Sequence, residues 1–405
     1  SYFLNTVILL PTARDTMKNF EFYSAGRIIF GSGSFTNIGE VAAPYGHKAL
    51  IVLGGGSLRK QGLVDVLIEK LITARVDFVF YEGIDREPEV EMVDRGVEMA
   101  KQNRCQLIIA VGGGSVIDTG KAISGLVTNG GSVLDYLEGV GKGAVISRPA
   151  LPFIAVPTTA GTGAEVTKNA VICSRKDKFK KSIRSPYLIP EVALVDPELT
   201  VSLPPRQTAY SGMDALTQCI EAYVCKNSQP LTDALALYGI KLASQSLVEA
   251  YRNGDNLKAR EEMALCSLLS GLALANAGLG AVHGIGAALG AHFNIPHGLV
   301  CAVLLPIVME ANYPYAMTKY AEVGQALTGK TYSSAEAAAK AGIDFIRRLV
   351  QEIGIPSSLS ELGIKEKDIP VLVRNSVGPS MSANPRTFSE EELTNLLMAW
   401  LLPSL

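Results

Sequence analysis

Residues Leu107–Lys121 read LIIAVGGGSVIDTGK. The apolar run at the start suits a strand covered on both faces, because a half-exposed strand would alternate apolar with polar. Three glycines then break the run, and glycine lets the chain turn sharply and bring backbone N–H groups close to another molecule. The same arrangement occurs upstream, where Lys48–Leu53 (KALIVL) runs into Gly54-Gly55-Gly56-Ser57. Between the two lie a helical pattern from Leu63 to Leu71, a β-rich run from Val76 to Tyr81 and a helical stretch from Val90 to Gln102. Apolar runs closed by glycine and separated by helices indicate βαβ units on a parallel sheet. Pro152–Pro157 (PFIAVP) and Val192–Val195 supply further strands.

The pattern changes near Leu203-Pro204-Pro205. Beyond it the spacing is helical in Asp214–Val224, Asp233–Ala250, Lys258–Leu274 and Ala335–Ile353. Ser389 and Glu392 form a capping box ahead of Leu393–Leu401. The expected architecture is an α/β nucleotide-binding domain with a Rossmann-like parallel sheet over residues 17–205, followed by an all-helical domain over 206–405. A length of 405 residues agrees with two cores rather than one. Met17-Lys18 reads as a native start, so residues 1–16 are set aside as an N-terminal extension.

Composition narrows the function. Hydrophobic residues make up 48% of the chain, enough for a large core and against disorder. With 37 basic and 39 acidic residues the net charge is −2, which gives no electrostatic footprint for nucleic acid or an anionic membrane. No Asp, Glu, Lys or Arg occurs from Leu265 to Met309, a stretch long enough for two membrane spans. That stretch is glycine-rich, however, and holds Asn276, His283, His292, Asn294 and His297, which are costly at bilayer depth. Buried helices around an internal site are the better reading, with no membrane partner. Six scattered cysteines without a CxxC pair read as reduced, buried thiols of a cytoplasmic protein.

The chemistry-bearing motifs are few. The second glycine loop departs from GxGxxG at Ile117, and from GxxxxGK[ST] at Ser115 and Ala122, which argues against a nucleoside triphosphatase. Two such loops in neighbouring units favour a nucleotide whose phosphates sit at a helix N-terminus, and a pair of tight turns is the alternative. Pro157–Glu165 (PTTAGTGAE) puts hydroxyls directly after a strand, fit to line a pyrophosphate or to cap a helix. Asp214 and Gln218 stand four apart on one helix face, while His283 and His297 flank the glycine-rich segment. A carboxylate with imidazoles suits a divalent transition metal; a capped helix and two hydrogen-bonded core histidines fit the same spacing.

Together and in this order, GGGSVIDTGK (112–121), PTTAGTGAEVT (157–167), LVDPELT (194–200), GMDALTQCIEAY (212–223) and HGIGAALGAHFNIPHG (283–298) resemble the iron-containing (group III) alcohol dehydrogenase family. The resemblance covers nearly the whole chain after Met17. It implies hydride transfer between a nicotinamide cofactor and a small primary alcohol or its aldehyde, with the cofactor in the cleft between the two domains. The pyrophosphate would rest on Gly112, Gly113, Gly114 and Ser115, with Asp118 nearby. Thr158, Thr159 and Thr162 would follow the diphosphate and nicotinamide ribose, and Lys180 would contact the ribose. Fe2+ or Zn2+ would be held by Asp214, Gln218, His283 and His297, with Asp214, His283 and His297 serving the catalytic step. A homodimer or higher homo-oligomer would form through an N-terminal β-hairpin, here Phe20 to Phe30.

Two positions depart from the family pattern. Gln218 replaces a histidine, so the metal is expected to be weakly held, and Ala287 stands where many members carry a histidine linked to proton relay. These departures keep two alternatives in view: a metal-independent reductase resembling maleylacetate reductases, and a non-catalytic binding protein. NADP(H) is expected to be preferred over NAD(H). NAD-preferring relatives carry an acid after the first strand, whereas here the strand runs into Gly55, Gly56 and Ser57, with Arg59 and Lys60 adding positive charge.

Overall fold

The computed structural model describes residues 19–293 and 295–402. The N-terminal extension and Asn294 lie outside the described residues. The first half runs β1 (Arg27–Phe30), α1 (Ile38–Ala42), β2 (Lys48–Gly54), α2 (Ser57–Lys60), α3 (Leu63–Thr73), β3 (Asp77–Ile84), α4 (Val90–Gln102), β4 (Leu107–Gly112), α5 (Gly114–Asn129) and β5 (Phe153–Pro157). It closes with β6 (Asn169–Ser174), β7 (Phe179–Arg184) and β8 (Val192–Val195). Six of these strands form one parallel sheet in the order β1-β8-β5-β4-β2-β3.

The unbroken apolar runs are buried because both faces of the sheet are covered. Side chains alternate along each strand, so Leu50, Val52, Ile108 and Ala110 pack with Val93, Val97 and Ile123 of α4 and α5. Their neighbours Ala49, Ile51, Leu107 and Ile109 pack the other way, with Ile38, Leu67 and Leu71 of α1 and α3. The chain steps outward from β2 to β3, and then β4 lands on the other side of β2. The order therefore reverses between β2 and β4. A crevice opens at the carboxyl ends of strands at such a reversal, and the loops Gly54–Ser57 and Gly112–Ser115 both leave the sheet there.

Two features were not legible beforehand. β6 and β7 form a separate antiparallel hairpin with Cys173 opposite Lys180. The expected N-terminal hairpin over Phe20–Phe30 is not formed: only Arg27–Phe30 is a strand, and it pairs in parallel with β8 at the sheet edge. The reason is local bonding. The Gly26 and Arg27 amides donate to Pro190 O and Glu191 O, while Asn276 Nδ2 donates to Tyr23 O at 2.8 Å, which pins the preceding segment elsewhere.

The second half is helical: α6 (Pro205–Val224), α7 (Pro230–Arg252), α8 (Leu257–Ala277), α9 (Ala281–Phe293), α10 (His297–Asn312), α11 (Met317–Thr328), α12 (Ala335–Glu352), α13 (Ile369–Asn375), α14 (Pro379–Ala383) and α15 (Glu390–Ala399). α6 and α7 each begin at a proline, which fits a first helical position because its missing N–H has no partner to lose. The capping box forms as expected, with Glu392 N donating to Ser389 Oγ at 3.1 Å and Ser389 N to Glu392 Oε2 at 2.8 Å. Helix His297–Tyr315 is long and apolar enough to cross a membrane, but 72% of that window is buried inside the protein. Most of the charge-free segment among the described residues is core, with Ala287 and His292 of α9 at the surface. Helix α8 meets the sheet through Ala264, Leu268 and Leu272, which pack on Val166, Ala193 and Val195.

Candidate active site

Helix α6 is almost wholly buried, and Asp214, Gln218 and Glu221 follow one another on one face at helical spacing. α9 brings His283 to that face, and α10 brings His297 in its first turn and Cys301 one turn later. Asp214 Oδ1 lies 3.5 Å from His283 Nε2 and 3.6 Å from His297 Nε2. Cys301 Sγ lies 3.7 Å from the same oxygen, 3.9 Å from His283 Nε2 and 3.6 Å from His297 Nε2. These four donor atoms all fall within 4.8 Å of one another.

Glycine makes the approach feasible. A Cβ on Gly298 would stand 2.1 Å from Tyr210 O, so only glycine lets the first turn of α10 lie against α6 and carry His297 to Asp214. Glu221 sets the third element. Its carboxylate accepts the Val282 amide at 2.7 Å and His283 Nδ1–H at 2.6 Å. A proton is thereby kept on Nδ1, and the ring is oriented with Nε2 facing Asp214.

Gln218 is seated differently from its neighbours. Its amide oxygen accepts from Ser270 Oγ of α8 at 2.8 Å. Ala287 is exposed one turn beyond His283, so no imidazole occupies that turn. His292 is also exposed, in a cleft of about 340 Å³ that it lines with Glu87, Arg175, Lys178, Lys180 and Gly290.

Charge in the cluster follows from burial and proximity. Burial pushes the His297 imidazole down to about 4, against the pull of Asp214. Burial opposes protonation of His283 as well, but Cys301, Asp214 and Glu221 outweigh it and hold that imidazole well above its usual range. For Asp214, burial is overcome by both histidines, so its carboxyl sits below the usual carboxylate range. Burial pushes the Cys301 thiol up to about 11. Two imidazole nitrogens, one carboxylate oxygen and one sulfur make a group that could hold a divalent transition metal. The hard all-oxygen shells of Mg2+ and Ca2+ are excluded by that composition.

The residues expected on the cofactor side gather at the strand-order reversal. Gly113, Gly114, Ser115, Thr158, Thr159 and Thr162 are half-buried, as the wall of a cleft should be. Thr158 N donates to Gly112 O at 2.9 Å, which locks the two loops together. A Cβ on Gly114 would stand 2.8 Å from Thr162 Cγ2, so the close approach of α5 to that loop requires glycine. No side chain caps the N-terminus of α5. Gly55, Gly56 and Ser57 lie at the neighbouring loop, where Gly56 adopts φ +97°.

Other residues have partners that the sequence alone does not suggest. Asp118 Oδ2 accepts the Val171 amide at 3.0 Å and so ties α5 to the β6–β7 hairpin. Lys180, carried by that hairpin, pairs with Glu87. Arg59 Nε donates to Glu82 Oε1 at 2.8 Å, which neutralises one of the two charges expected at the first loop. Lys121 is fully buried and donates to Ala164 O, Thr167 Oγ1 and Asn169 O at 2.7–2.9 Å. Its role is to join loop, helix and hairpin. The sequence reading missed Glu221 and Cys301, although each has a helical signal: Glu221 is seven residues after Asp214, and Cys301 four after His297.

Comparisons with known proteins give the family of the chain. Residues 25–197 match the family model described as iron-containing alcohol dehydrogenase, and residues 208–401 match the model for the C-terminal part of the same family. The chain is 38% identical over 371 residues to 1,3-propanediol dehydrogenase of Citrobacter freundii, covering 91% of this chain and 95% of that protein. It is 34% identical over 372 residues to an NAD-dependent methanol dehydrogenase of Bacillus methanolicus, covering 91% and 96%. The crystal structure of a 1,3-propanediol oxidoreductase superposes with a TM-score of 0.90 at 36% identity, over 94% of this chain and all of that one. The chain belongs to the iron-containing alcohol dehydrogenase family.

Proposed function

We propose that this protein interconverts a small primary alcohol and its aldehyde by hydride transfer to and from a nicotinamide dinucleotide. The observation that carries this reading is the approach of Asp214, His283 and His297 within one buried cluster. Those three residues would hold a divalent metal, which when bound supplies Lewis acidity for the oxygen of the substrate. Glu221 keeps His283 in one tautomer, and the apolar walls from α8, α9 and α10 exclude water from the reacting groups. No histidine follows His283 by one turn, which leaves a ribose hydroxyl or water to exchange the alcohol proton.

On the cofactor side, the backbone N–H groups at the start of α5 would receive the pyrophosphate on Gly112, Gly113, Gly114 and Ser115. Thr158, Thr159 and Thr162 would line its path, and Lys180 would reach the ribose. Asp118 acts at that site by holding β6 in place. NADP(H) is the preferred cofactor in this reading, because Gly54 ends β2 where a carboxylate would repel a 2′-phosphate. Gly55, Gly56 and Ser57 offer that phosphate donors without a clashing side chain. The α/β part, residues 17–205, and the helical part, residues 206–405, act as two domains around the cleft. A homo-oligomer would form at the β1 edge of the sheet, where Ile28 and Phe30 are 37% and 38% exposed.

The test is a panel of short primary alcohols, diols and aldehydes assayed with NAD(H) and NADP(H), before and after chelation. Turnover that chelator removes and added Zn2+ or Fe2+ restores is the expected result. Full activity in the chelated enzyme would support a metal-independent reductase instead, and a kcat/KM ratio favouring NADH would overturn the cofactor preference.

A further inference from the structure

We propose that Cys301, rather than Gln218, is the fourth protein donor to the metal, giving a carboxylate–bis-imidazole–thiolate site suited to Zn2+. The proposal rests on the reading that Asp214, His283 and His297 hold a divalent ion. Its first support is distance. Bonds of about 2.3 Å to sulfur and about 2.0–2.1 Å to nitrogen and oxygen, arranged tetrahedrally, put donor atoms roughly 3.3–3.6 Å apart. The separations of Cys301 Sγ from the other three donors are 3.6, 3.7 and 3.9 Å. Those from Asp214 Oδ1 to the two imidazoles are 3.5 and 3.6 Å. Five of the six separations among the four atoms therefore already match what a metal would impose to within a few tenths of an ångström, and the two imidazole nitrogens lie within 4.8 Å of each other.

The second support is what Gln218 does instead. Its amide oxygen accepts a hydrogen bond from Ser270, on the helix behind α6, and so has a partner within the protein. Among the described residues, by contrast, the polar contacts of Cys301 Sγ are with Asp214, His283 and His297. As its sulfur bonds the ion, the thiol proton passes to water, so the site gains a negative charge that a carboxamide cannot supply. Thiolate is also the softer donor and selects Zn2+ over harder ions. The loss of a histidine at position 218 is compensated from another helix, and the metal is held firmly rather than weakly.

Cobalt substitution tests this directly. Purified protein is stripped with chelator and titrated with Co2+, and metal content is measured alongside the absorption spectrum. The wild type should show visible ligand-field bands and a near-ultraviolet thiolate-to-cobalt charge-transfer band. Cys301→Ser should lose the charge-transfer band and bind metal at least about tenfold more weakly, since even partners that do not touch the ion command about 10–100-fold. Cys301→Asp should restore affinity but not the band, and Gln218→Ala should keep both. A wild-type spectrum without the charge-transfer band, or one that persists in Cys301→Ser, overturns the proposal. So does a loss of metal in Gln218→Ala with Cys301→Ser unaffected. A folded wild type that takes up no cobalt refutes the underlying metal reading itself, which separates the two failures.

Discussion

At the scale of single residues, two carboxylates act through the side chains they hold. Glu221 fixes His283 by accepting its Nδ1–H while its other oxygen accepts the Val282 amide. Replacing it by glutamine keeps the shape but removes the charge that holds the imidazole. Glu221→Gln should weaken metal binding by about 10–100-fold with little change in Tm, measured by competition against a chromogenic chelator. Glu82 sits beside the first glycine loop. It occupies Arg59, which otherwise would be available to a 2′-phosphate. Glu82→Gln should raise the NADPH-to-NADH ratio of kcat/KM by about fivefold, the scale of one exposed ion pair. An unchanged ratio would mean that Arg59 takes no part in choosing the cofactor.

At the scale of elements, glycines at two crossings decide where helices sit. Gly163 has φ +62°, and a Cβ there would stand 2.4 Å from Gly271 Cα of α8. Gly163→Ala should therefore destabilise by about 1–2 kcal/mol for the left-handed backbone, with about 1–3 kcal/mol more for the overlap. Thermal unfolding would measure it. Gly298→Ala meets backbone at 2.1 Å, which cannot rotate away, so α10 must shift from α6. Its expected signature is a lost metal site along with a lowered Tm, whereas Gly163→Ala should lower Tm alone. Such glycines stand out in the sequence as glycines. Their partners, Tyr210 and Gly271, are far along the chain and only the fold pairs them.

At the scale of the whole molecule, a buried pair makes stability depend on pH. Glu165 and Lys121 lie where loop, sheet and helix α8 meet, and both are almost fully enclosed. Burial raises the Glu165 carboxyl from 4.5 to about 7 and lowers the Lys121 ammonium from 10.5 to about 8. At Glu165 the folded state thus binds more protons than the unfolded state between pH 4.5 and about 7, and the contribution of this group to stability should fall as pH rises through that window. The loss is on the order of 3 kcal/mol at most, from the 1.36 kcal/mol per pKa unit that links the two scales. Lys121 works in the opposite sense: stability rises with pH from about 8 to 10.5, because there the unfolded chain binds the extra proton. Denaturant titrations at pH 5 and pH 7.5 would check this. Glu165→Gln should remove this contribution and so raise stability at pH 7.5 relative to pH 5 by comparison with the parent; an unchanged difference between the two pH values would place its origin in other groups such as His283 and His297.

The sequence by itself determined the layered sheet, the two glycine turns at its carboxyl edge and the helical second half. Each of these follows from periodicity within a dozen or so residues, where doubly buried strands read as unbroken apolar runs and buried helices as spaced ones. It also carried Asp214, His283 and His297 by residue type and by family resemblance, and the fold brings the three together. What it did not carry was the pairing of distant surfaces. Gln218 and Cys301 each lie one turn from a candidate donor, and nothing local says which turns inward. That choice is made by the crossing of α6, α8 and α10, which gives Gln218 to Ser270 and Cys301 to the cluster. The same holds for β1 and the segment before it, whose backbone is claimed by β8, Pro190 and Asn276 rather than by a hairpin of its own. Spacing fixes which face of a helix a residue shares with its neighbours, but only packing decides what that face meets.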